Sequence, residues 1–266
     1  MKSALEFGMQ TAPGHRHGAN EDALGSDPER QLWLVADGMG GHSAGDVAGV
    51  IVRDKVLEQV EGGADLAAAI DAAHAAVLEA ASADDAKHGM GSTVVAAQIT
   101  DGQAAIGWVG DSRAYLLRSG TLRCLTRDHS LVQWLLEQQQ ITAEEAASHP
   151  DRNVLVRTLG FEHPSADLIS VDLQPDDTLL LCSDGLTGVL SEVEIRRILL
   201  DAENPQAGAD ALIEAVVERR GRDDASAIVI RNHARGTLFA ELWLPVSGGV
   251  GLGLLAYLIW NWVKAS

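Results

Sequence analysis

Aspartates recur in this sequence at the ends of apolar runs, with glycines beside them. Asp37 follows the uncharged run 32–36 and precedes Gly38, Gly40 and Gly41. An apolar run of this length predicts a buried strand, and the glycines after it let the backbone turn sharply and expose its carbonyl oxygens. A carboxylate beside an exposed carbonyl is a pair of hard oxygen donors, which suits Mg²⁺ or Mn²⁺.

Four further aspartates also lie where apolar runs begin or end. They are Asp22 before the first run, Asp111 after 104–109, Asp184 after 178–182 and Asp223 before 225–230. Carboxylates that meet at one edge of a sheet assembly cannot all ionise stably unless cations lie between them. The pattern therefore predicts a centre with more than one divalent metal. Taken singly, each aspartate is more simply explained as part of a turn or a helix cap.

Seven segments, in order, make the chain resemble the metal-dependent Ser/Thr protein phosphatases of type 2C in their compact bacterial form. They are GHRHGANEDA at 14–23, VADGMGGHSAGDVA at 35–48, GSTVVAA at 91–97, GWVGDSRAYLLRSGTL at 107–122, LTRDHSLVQWLLEQQQITAEEAASHPDRNVLVRTLG at 125–160, LLLCSDGLTGVL at 179–190 and RDDASAIVI at 222–230. The resemblance implies an α+β fold. Two antiparallel β-sheets would pack as a sandwich, with helices on the outer faces.

The resemblance also implies metal ligands. Asp37 would bridge two divalent metals, Mn²⁺ or Mg²⁺. The Gly38 carbonyl would bind one of them, and Asp184 and Asp223 would bind the other. Asp111, together with Asp184, would hold a third and weaker metal. The implied activity is hydrolysis of phosphoserine and phosphothreonine in proteins by a metal-bound water, without a covalent phospho-enzyme.

The remaining catalytic positions follow the family pattern less closely. Asp22 is implied to orient metal-bound water. The spacing from Gly14 to Asp22 puts His17 where the family usually has its phosphate-binding arginine, and Arg16 stands one residue early. We favour His17 because it keeps the register, while Arg16 stays the alternative. Asp224 stands where asparagine is usual, which adds a charge near the metals.

Hydrophobic periodicity predicts the elements that would position these residues. Strands are expected at 32–36, 93–99, 104–109, 114–118, 121–125, 171–173 and 178–182, and helices at 47–60, 66–81, 131–140, 191–200 and 209–220. Thr142 with Glu145 and Ser191 with Glu194 fit capping boxes. The segment at about 126–160 is expected to be a small flap beside the active site, with a plain helical connection as the alternative.

Composition narrows the function. The chain has 266 residues, 46% of them hydrophobic, and a formal net charge of −18. Such an acidic protein disfavours nucleic acid as a partner, because that binding depends on Lys and Arg neutralising phosphates. A two-metal nuclease, the rival use of clustered carboxylates, loses support for the same reason. Cys124 and Cys182 are expected to be free thiols in a reducing compartment, and no N-terminal signal peptide is expected.

The C-terminal part differs in composition. Residues 242–263 contain no charge; at about 1.5 Å per residue they span roughly 33 Å, enough for a hydrocarbon core of about 30 Å. We expect a catalytic domain at 1–234, a juxtamembrane linker at 235–241 and one C-terminal transmembrane helix at 242–263. A hydrophobic helix docked on the domain or on a partner is the alternative.

Residues that flank this segment predict its orientation. Trp243 and Trp260 would lie in the two interfacial belts, and Arg231 and Arg235 would keep the catalytic domain on the cytoplasmic side of the inner membrane. A GxxxG pair within the segment is weak evidence for a homodimer through the anchor. We therefore expect a single-pass, tail-anchored phosphatase that acts on phosphorylated proteins and reverses a bacterial Ser/Thr kinase. A catalytically inactive, membrane-bound scaffold of the same fold, which binds phosphoproteins, is the alternative.

Overall fold

A computed structural model describes residues 5–15, 19–40, 44–84, 87–161 and 164–233. The chain divides into two compact units, Met1–Ala234 and Arg235–Ser266, and the second lies outside the described residues. The strands are β1 Leu5–Ala12, β2 Asp22–Asp27, β3 Leu32–Met39, β4 Gly91–Ser92, β5 Val94–Thr100, β6 Gln103–Val109, β7 Arg113–Arg118, β8 Thr121–Cys124, β9 Asp167–Asp172, β10 Thr178–Cys182 and β11 Ala225–Asn232. The helices are α1 Ala44–Glu61, α2 Leu66–Ala83, α3 Leu131–Glu137, α4 Ala143–Ala147, α5 Asp184–Thr187, α6 Glu192–Asp201 and α7 Pro205–Glu218.

The strands form two antiparallel sheets. One has the order β1-β11-β10-β7-β8, and the other has the order β2-β3-β5-β6-β9, with β4 paired to β3. Alternation along β3 shows how the layers form: Trp33 and Val35 face the core between the sheets, while Leu32 and Leu34 face the core under α1 and α2. The outer face of the first sheet is covered by α6 and α7. The α+β sandwich with helices on its outer faces is therefore confirmed.

Local sequence explains where the longer helices begin. Asp65 caps α2 by accepting a hydrogen bond from the amide of Ala68. Both predicted capping boxes are present, at Thr142 for α4 and at Ser191 for α6. Among the described helices, α2 alone is long and apolar enough to pass a length-and-composition test for a membrane span. Its Ile70, Ala73 and Val77 side chains are buried in the core beneath it.

Three elements near the site were not predicted: β2, α5 and the two-residue strand β4, which pairs with the end of β3. The strand β2, with the sequence DALGSD, has no apolar alternation and forms by pairing its backbone with β3. The short helix α5 covers Asp184–Thr187, a stretch that the sequence indicated only as a turn after a strand. Strand β3 also continues past its apolar run to Met39. The helical pattern at 209–220 belongs to a longer helix that starts at Pro205, after the capping residue Asn204.

The segment predicted as a flap contains the two short helices α3 and α4. The side chains of Trp134, Val154 and Val156 are exposed. The chain returns to the sandwich where Leu159 pairs with Ser92 beside β4. The structure thus gives this segment little buried surface of its own, and its role as a flap stays a prediction, as do the domain boundaries.

Candidate metal centre

Antiparallel pairing of β2 with β3 brings the first two aspartates together. Asp22 and Asp37 are direct partners across the two strands. The backbone of Asp37 is fixed on both sides: its amide donates to Thr93 Oγ1 at 3.1 Å, and its carbonyl accepts from the Thr93 amide at 2.8 Å and from Ser92 Oγ at 3.1 Å. The Asp37 carboxylate therefore sits at the end of a strand whose path is set by its neighbours.

A third aspartate comes from the other sheet. Asp184 is the first residue of α5, directly after β10. The preceding Ser183 donates from its Oγ to Asp22 Oδ2 at 2.7 Å and accepts from the Ser226 amide at 3.0 Å. Gly185 allows this close approach, because a Cβ there would lie 2.0 Å from a carbonyl oxygen just before β11. The ends of both sheets therefore meet at these carboxylates.

Burial and mutual repulsion raise the pKa values of the group. Burial raises the pKa of Asp22 to about 7 and that of Asp184 to about 6, from an ordinary value of 3.8. The pKa of Asp37 is raised well above that value, first by burial and then by the charge of Asp22. Burial and then Asp184 do the same to the pKa of Asp111. Asp223 is itself exposed, and its charge adds to the shifts of Asp37 and Asp184.

Two buried oxygens in this group have no hydrogen-bond partner among the described residues, namely Asp22 Oδ1 and Asp184 Oδ1. An unsatisfied buried polar atom costs about 1–3 kcal/mol, and more when it is charged. A divalent cation between these carboxylates would displace the protons that the raised pKa values favour and would give the unpaired oxygens a partner.

The available oxygen ligands suit a divalent metal ion that keeps some of its coordinated water molecules. Within the described ranges, no three or more His, Cys, Asp or Glu side chains are arranged to hold a metal by themselves. Mg²⁺ is commonly held by one or two carboxylates and several waters. Pairs such as Asp37 with Asp184, supplemented by a backbone carbonyl, meet that requirement. The residues therefore fit the metals that the sequence predicts, with water completing the coordination.

The Gly38 carbonyl has a further acidic neighbour, Glu21. A Cβ placed on Gly45 would lie 2.2 Å from Glu21 Oε2 and 3.0 Å from the Gly38 carbonyl oxygen, so both oxygens face the same small space at the start of α1. No role was predicted for Glu21. Its position next to Asp22 was the only feature of the sequence that could have indicated one.

A second residue without a predicted role, Asp128, adds negative charge on another side of the centre and is paired with Arg113. Arg113 donates to both Asp128 oxygens, at 2.8 and 2.6 Å, and to the Tyr115 hydroxyl at 3.1 Å. The charge of Asp128 raises the pKa of Asp111 and Asp184, and that of Arg113 lowers both. Nothing in the local sequence pairs two residues that lie 15 positions apart, so this contact had to come from the fold.

Asp224 is buried and binds the backbone at Gly14 and at Glu21. Its Oδ1 accepts from the Gly14 amide and its Oδ2 from the Glu21 amide, both at 2.7 Å. Its charge also raises the pKa of Asp22, so it does add a charge near the centre. Both of its oxygens, however, are engaged by backbone amides. An asparagine would offer one acceptor where the backbone presents two donors.

Arg16 and His17 lie outside the described residues, so which of them faces a phosphate stays a prediction. Their flanks are described on both sides: the His15 amide donates to the Gly221 carbonyl at 2.9 Å, and Asp224 holds the Glu21 amide. The predicted linker and membrane segment at 235–263 also lie outside the described residues.

Neither cysteine offers a nucleophile. Cys124 and Cys182 are free thiols, as expected, and burial raises the pKa of both. A thiol with a raised pKa holds little of the thiolate that attacks electrophiles. The chemistry of the centre therefore rests on its carboxylates.

Comparison with known proteins agrees with this geometry. The family model described as Protein phosphatase 2C matches residues 3–146. A relative from Listeria welshimeri, "Serine/threonine phosphatase stp", is 37% identical over 230 residues, covering 82% of this chain and 91% of that protein. "Serine/threonine protein phosphatase PstP" from Mycobacterium tuberculosis is 34% identical over 231 residues, covering 85% of this chain and 44% of that longer protein.

Solved structures agree as well. The crystal structure of Mycobacterium tuberculosis PstP/Ppp has a TM-score of 0.81 at 32% identity and covers 86% of this chain and 99% of that one. The PstP catalytic domain in complex with two manganese ions has a TM-score of 0.78 at 30% identity, with the same coverage. The aspartates at the meeting ends of two antiparallel sheets, the family model and these relatives together show that the chain belongs to the protein phosphatase 2C family.

Proposed function

We propose that this chain hydrolyses phosphoserine and phosphothreonine in proteins as a metal-dependent phosphatase. The observation that carries the proposal is the set of partly buried carboxylates with raised pKa values, which converge from both sheets and leave Asp22 Oδ1 and Asp184 Oδ1 without a hydrogen-bond partner among the described residues. Relatives in the same family are named serine/threonine phosphatases, and the PstP catalytic domain was solved with two manganese ions.

We assign the metal ligands as follows. Asp37 would help to hold two divalent ions, the Gly38 carbonyl would help to hold one of them, and Asp184 and Asp223 would hold the other. Asp111, with Asp184, would hold a third and weaker ion. Mn²⁺ or Mg²⁺ bound there would supply an activated water near neutral pH and positive charge for the phosphoryl oxygens.

The protein's own groups position the reactants. Ser183 holds Asp22 Oδ2, which leaves Asp22 Oδ1 free to accept a hydrogen bond from a water in the site. Asp223 is exposed at the edge of the centre, whereas Asp37 and Asp184 are only partly exposed. A phosphorylated side chain that projects from another protein can therefore reach the carboxylates without entering an enclosed cavity.

The first prediction tests the metal ligands. Asp37→Asn and Asp223→Asn should each lower hydrolysis of p-nitrophenyl phosphate by at least about 100-fold, since even residues that only support a metal ligand contribute 10–100-fold. Mn²⁺ should raise the melting temperature of the wild type. The Mn²⁺ concentration needed for this rise should fall as the pH increases from about 6 to 8, because protons must leave Asp22 and Asp184 before the metal binds.

The exposed Asp201→Asn at the end of α6 serves as the matched control and should behave like the wild type. Near-wild-type turnover in a folded Asp37→Asn or Asp223→Asn protein would contradict the assignment. An unchanged Mn²⁺-dependent shift of the melting temperature in Asp37→Asn would do the same.

The second prediction concerns Asp224, which we regard as a positioning residue. Asp224→Asn should raise KM for a phosphopeptide about tenfold, because it loses one charge-assisted hydrogen bond to the backbone amide of Gly14 or Glu21. Its kcat and Mn²⁺ affinity should change much less than in the neighbouring Asp223→Asn variant. Steady-state kinetics and Mn²⁺ titration of both variants separate the roles, and equal losses of Mn²⁺ affinity would contradict a positioning role.

The third prediction addresses the phosphate contact. We propose that His17, rather than Arg16, faces the phosphate, because the spacing from Gly14 to Asp22 preserves its register. A guanidinium binds phosphate bidentately, so His17→Arg should lower KM for a phosphopeptide. Arg16→Ala should change KM little. These constants are to be measured at saturating Mn²⁺. A large increase of KM in Arg16→Ala, together with an unchanged KM in His17→Ala, would show that His17 does not face the phosphate.

The alternative, an inactive scaffold of the same fold, has a direct discriminator. It predicts phosphopeptide binding without hydrolysis of p-nitrophenyl phosphate at saturating Mn²⁺. The presence of Asp37, Asp184 and Asp223 favours the enzyme.

We further propose that the substrates are products of a Ser/Thr kinase in the same cell. Deletion of the gene should then raise phosphoserine or phosphothreonine in specific proteins, and an unchanged phosphoproteome would contradict this.

The fourth prediction concerns the membrane. We propose that residues 242–263 anchor the protein in the inner membrane with the catalytic domain in the cytoplasm, on the basis of their uncharged length and the flanking Arg231 and Arg235. Deletion of residues 238–266 should release a soluble and active enzyme. Fractionation of the full chain with the cytosol, or cleavage of its domain by protease added outside spheroplasts, would contradict the proposal. A dimer through this segment should disappear with the same deletion.

A further inference from the structure

A cavity of about 80 Å³ opens beside Asp223, between the end of β1 and the C-terminal end of α7. Its walls are partly apolar, with Pro13 and Val216, and partly basic, with His15 and Arg220. Asp223 lines this cavity and is also a proposed metal ligand. The cavity therefore adjoins the place where a phosphorylated residue would be hydrolysed.

Arg220 has an unusual backbone. Its φ is 56°, in the left-handed region that glycine adopts without strain. Glycine is strongly preferred just after a helix, and an arginine there adopts a less favourable conformation. The backbone itself is satisfied, because the Arg220 amide donates to the Val217 carbonyl at 2.9 Å and the Gly221 amide to the Val216 carbonyl at 3.0 Å. The turn thus does not require an arginine, and its side chain needs another explanation.

The Arg220 side chain makes no hydrogen bond or ion pair with any of the described residues, although the chain carries a net charge of −18. Its neighbour Arg219 pairs with Glu194 at 2.6 Å. Arg219 also lies at the negative end of α7, so it already supplies the cation that a helix C-terminus favours. The function of the Arg220 side chain is therefore expected to lie in the cavity that it lines.

We propose that this cavity is a subsite for an acidic side chain of the substrate, close in sequence to the phosphorylated residue, with Arg220 as its anion-binding group. The inference rests on the proposed phosphatase function. Neighbouring residues of an extended peptide are about 3.3–3.6 Å apart, so positions within two or three of the phosphorylated one can reach the cavity. The apolar walls suit the methylene groups of glutamate, and the guanidinium suits its carboxylate.

The experiment uses the full chain with Mn²⁺ and pairs of phosphopeptides that differ only by Glu or Gln at one position, from −3 to +3. At one position or more, the wild type should prefer Glu over Gln in kcat/KM by about two- to fivefold, as expected for a partly exposed ion pair. The preference should weaken with added salt. Arg220→Gly should abolish the preference without lowering the melting temperature, because glycine relieves the left-handed backbone.

Arg219→Gln removes the same charge one residue away and should keep the preference. Arg220→Asn is a second variant that tolerates the same backbone conformation. The proposal is overturned if the wild type shows no preference at any position, if Arg220→Gly or Arg220→Asn keeps it, or if Arg219→Gln loses it equally. Failure of the wild type to hydrolyse p-nitrophenyl phosphate would instead overturn the proposed function, and the subsite with it. Active wild type without a Glu preference overturns the subsite alone.

Discussion

The structure depends on holding several aspartate carboxylates, which carry like charges, close together at a partly buried site. Carboxylates at the meeting ends of two sheets repel one another and lose hydration, and both effects favour the protonated form. For Asp22 and Asp184 the pKa rises to about 7 and about 6. The metal-free folded state therefore binds more protons than the unfolded chain between about pH 4 and 7, and its stability falls as the pH rises through that window. A cation that binds only the folded state reverses this loss.

Because the carboxylates do not attract one another, the backbone has to hold them. Asp37 is fixed through hydrogen bonds of its own amide and carbonyl, and Ser183 joins its sheet to the other through Asp22. Glycines permit the close approaches: a Cβ on Gly38 would lie 1.9 Å from the Gly45 carbonyl oxygen. The carboxylate of Asp224 accepts hydrogen bonds from two backbone amides, those of Gly14 and Glu21. The destabilising cluster is thus built on a surrounding set of satisfied polar contacts.

Sequence reasoning succeeded where a local pattern has a single structural meaning. Apolar runs gave the central strands, the two capping boxes gave the starts of α4 and α6, and aspartates at strand ends gave the cluster. It failed for β2, because DALGSD has no periodicity and pairs only through β3. It also could not find the Arg113–Asp128 pair or the amides that Asp224 binds, because those contacts depend on how distant segments pack. The assignment of each aspartate to a particular metal needs that register too, and it stays a prediction.

The net charge of −18 creates a further requirement for an enzyme of phosphoproteins. A negative protein repels a phosphate dianion, but at physiological ionic strength this repulsion is screened beyond about 8 Å. Encounter is therefore governed by charges within that distance of the site. Bound metals supply positive charge at the phosphoryl group itself, and only unpaired basic side chains at the edge can supply it for the rest of the substrate. Arg113, Arg118 and Arg219 are engaged in ion pairs, whereas Arg220 pairs with none of the residues that the structure describes. Selectivity in such a protein is thus expected from a few exposed cations beside the centre, while the buried carboxylates determine the chemistry.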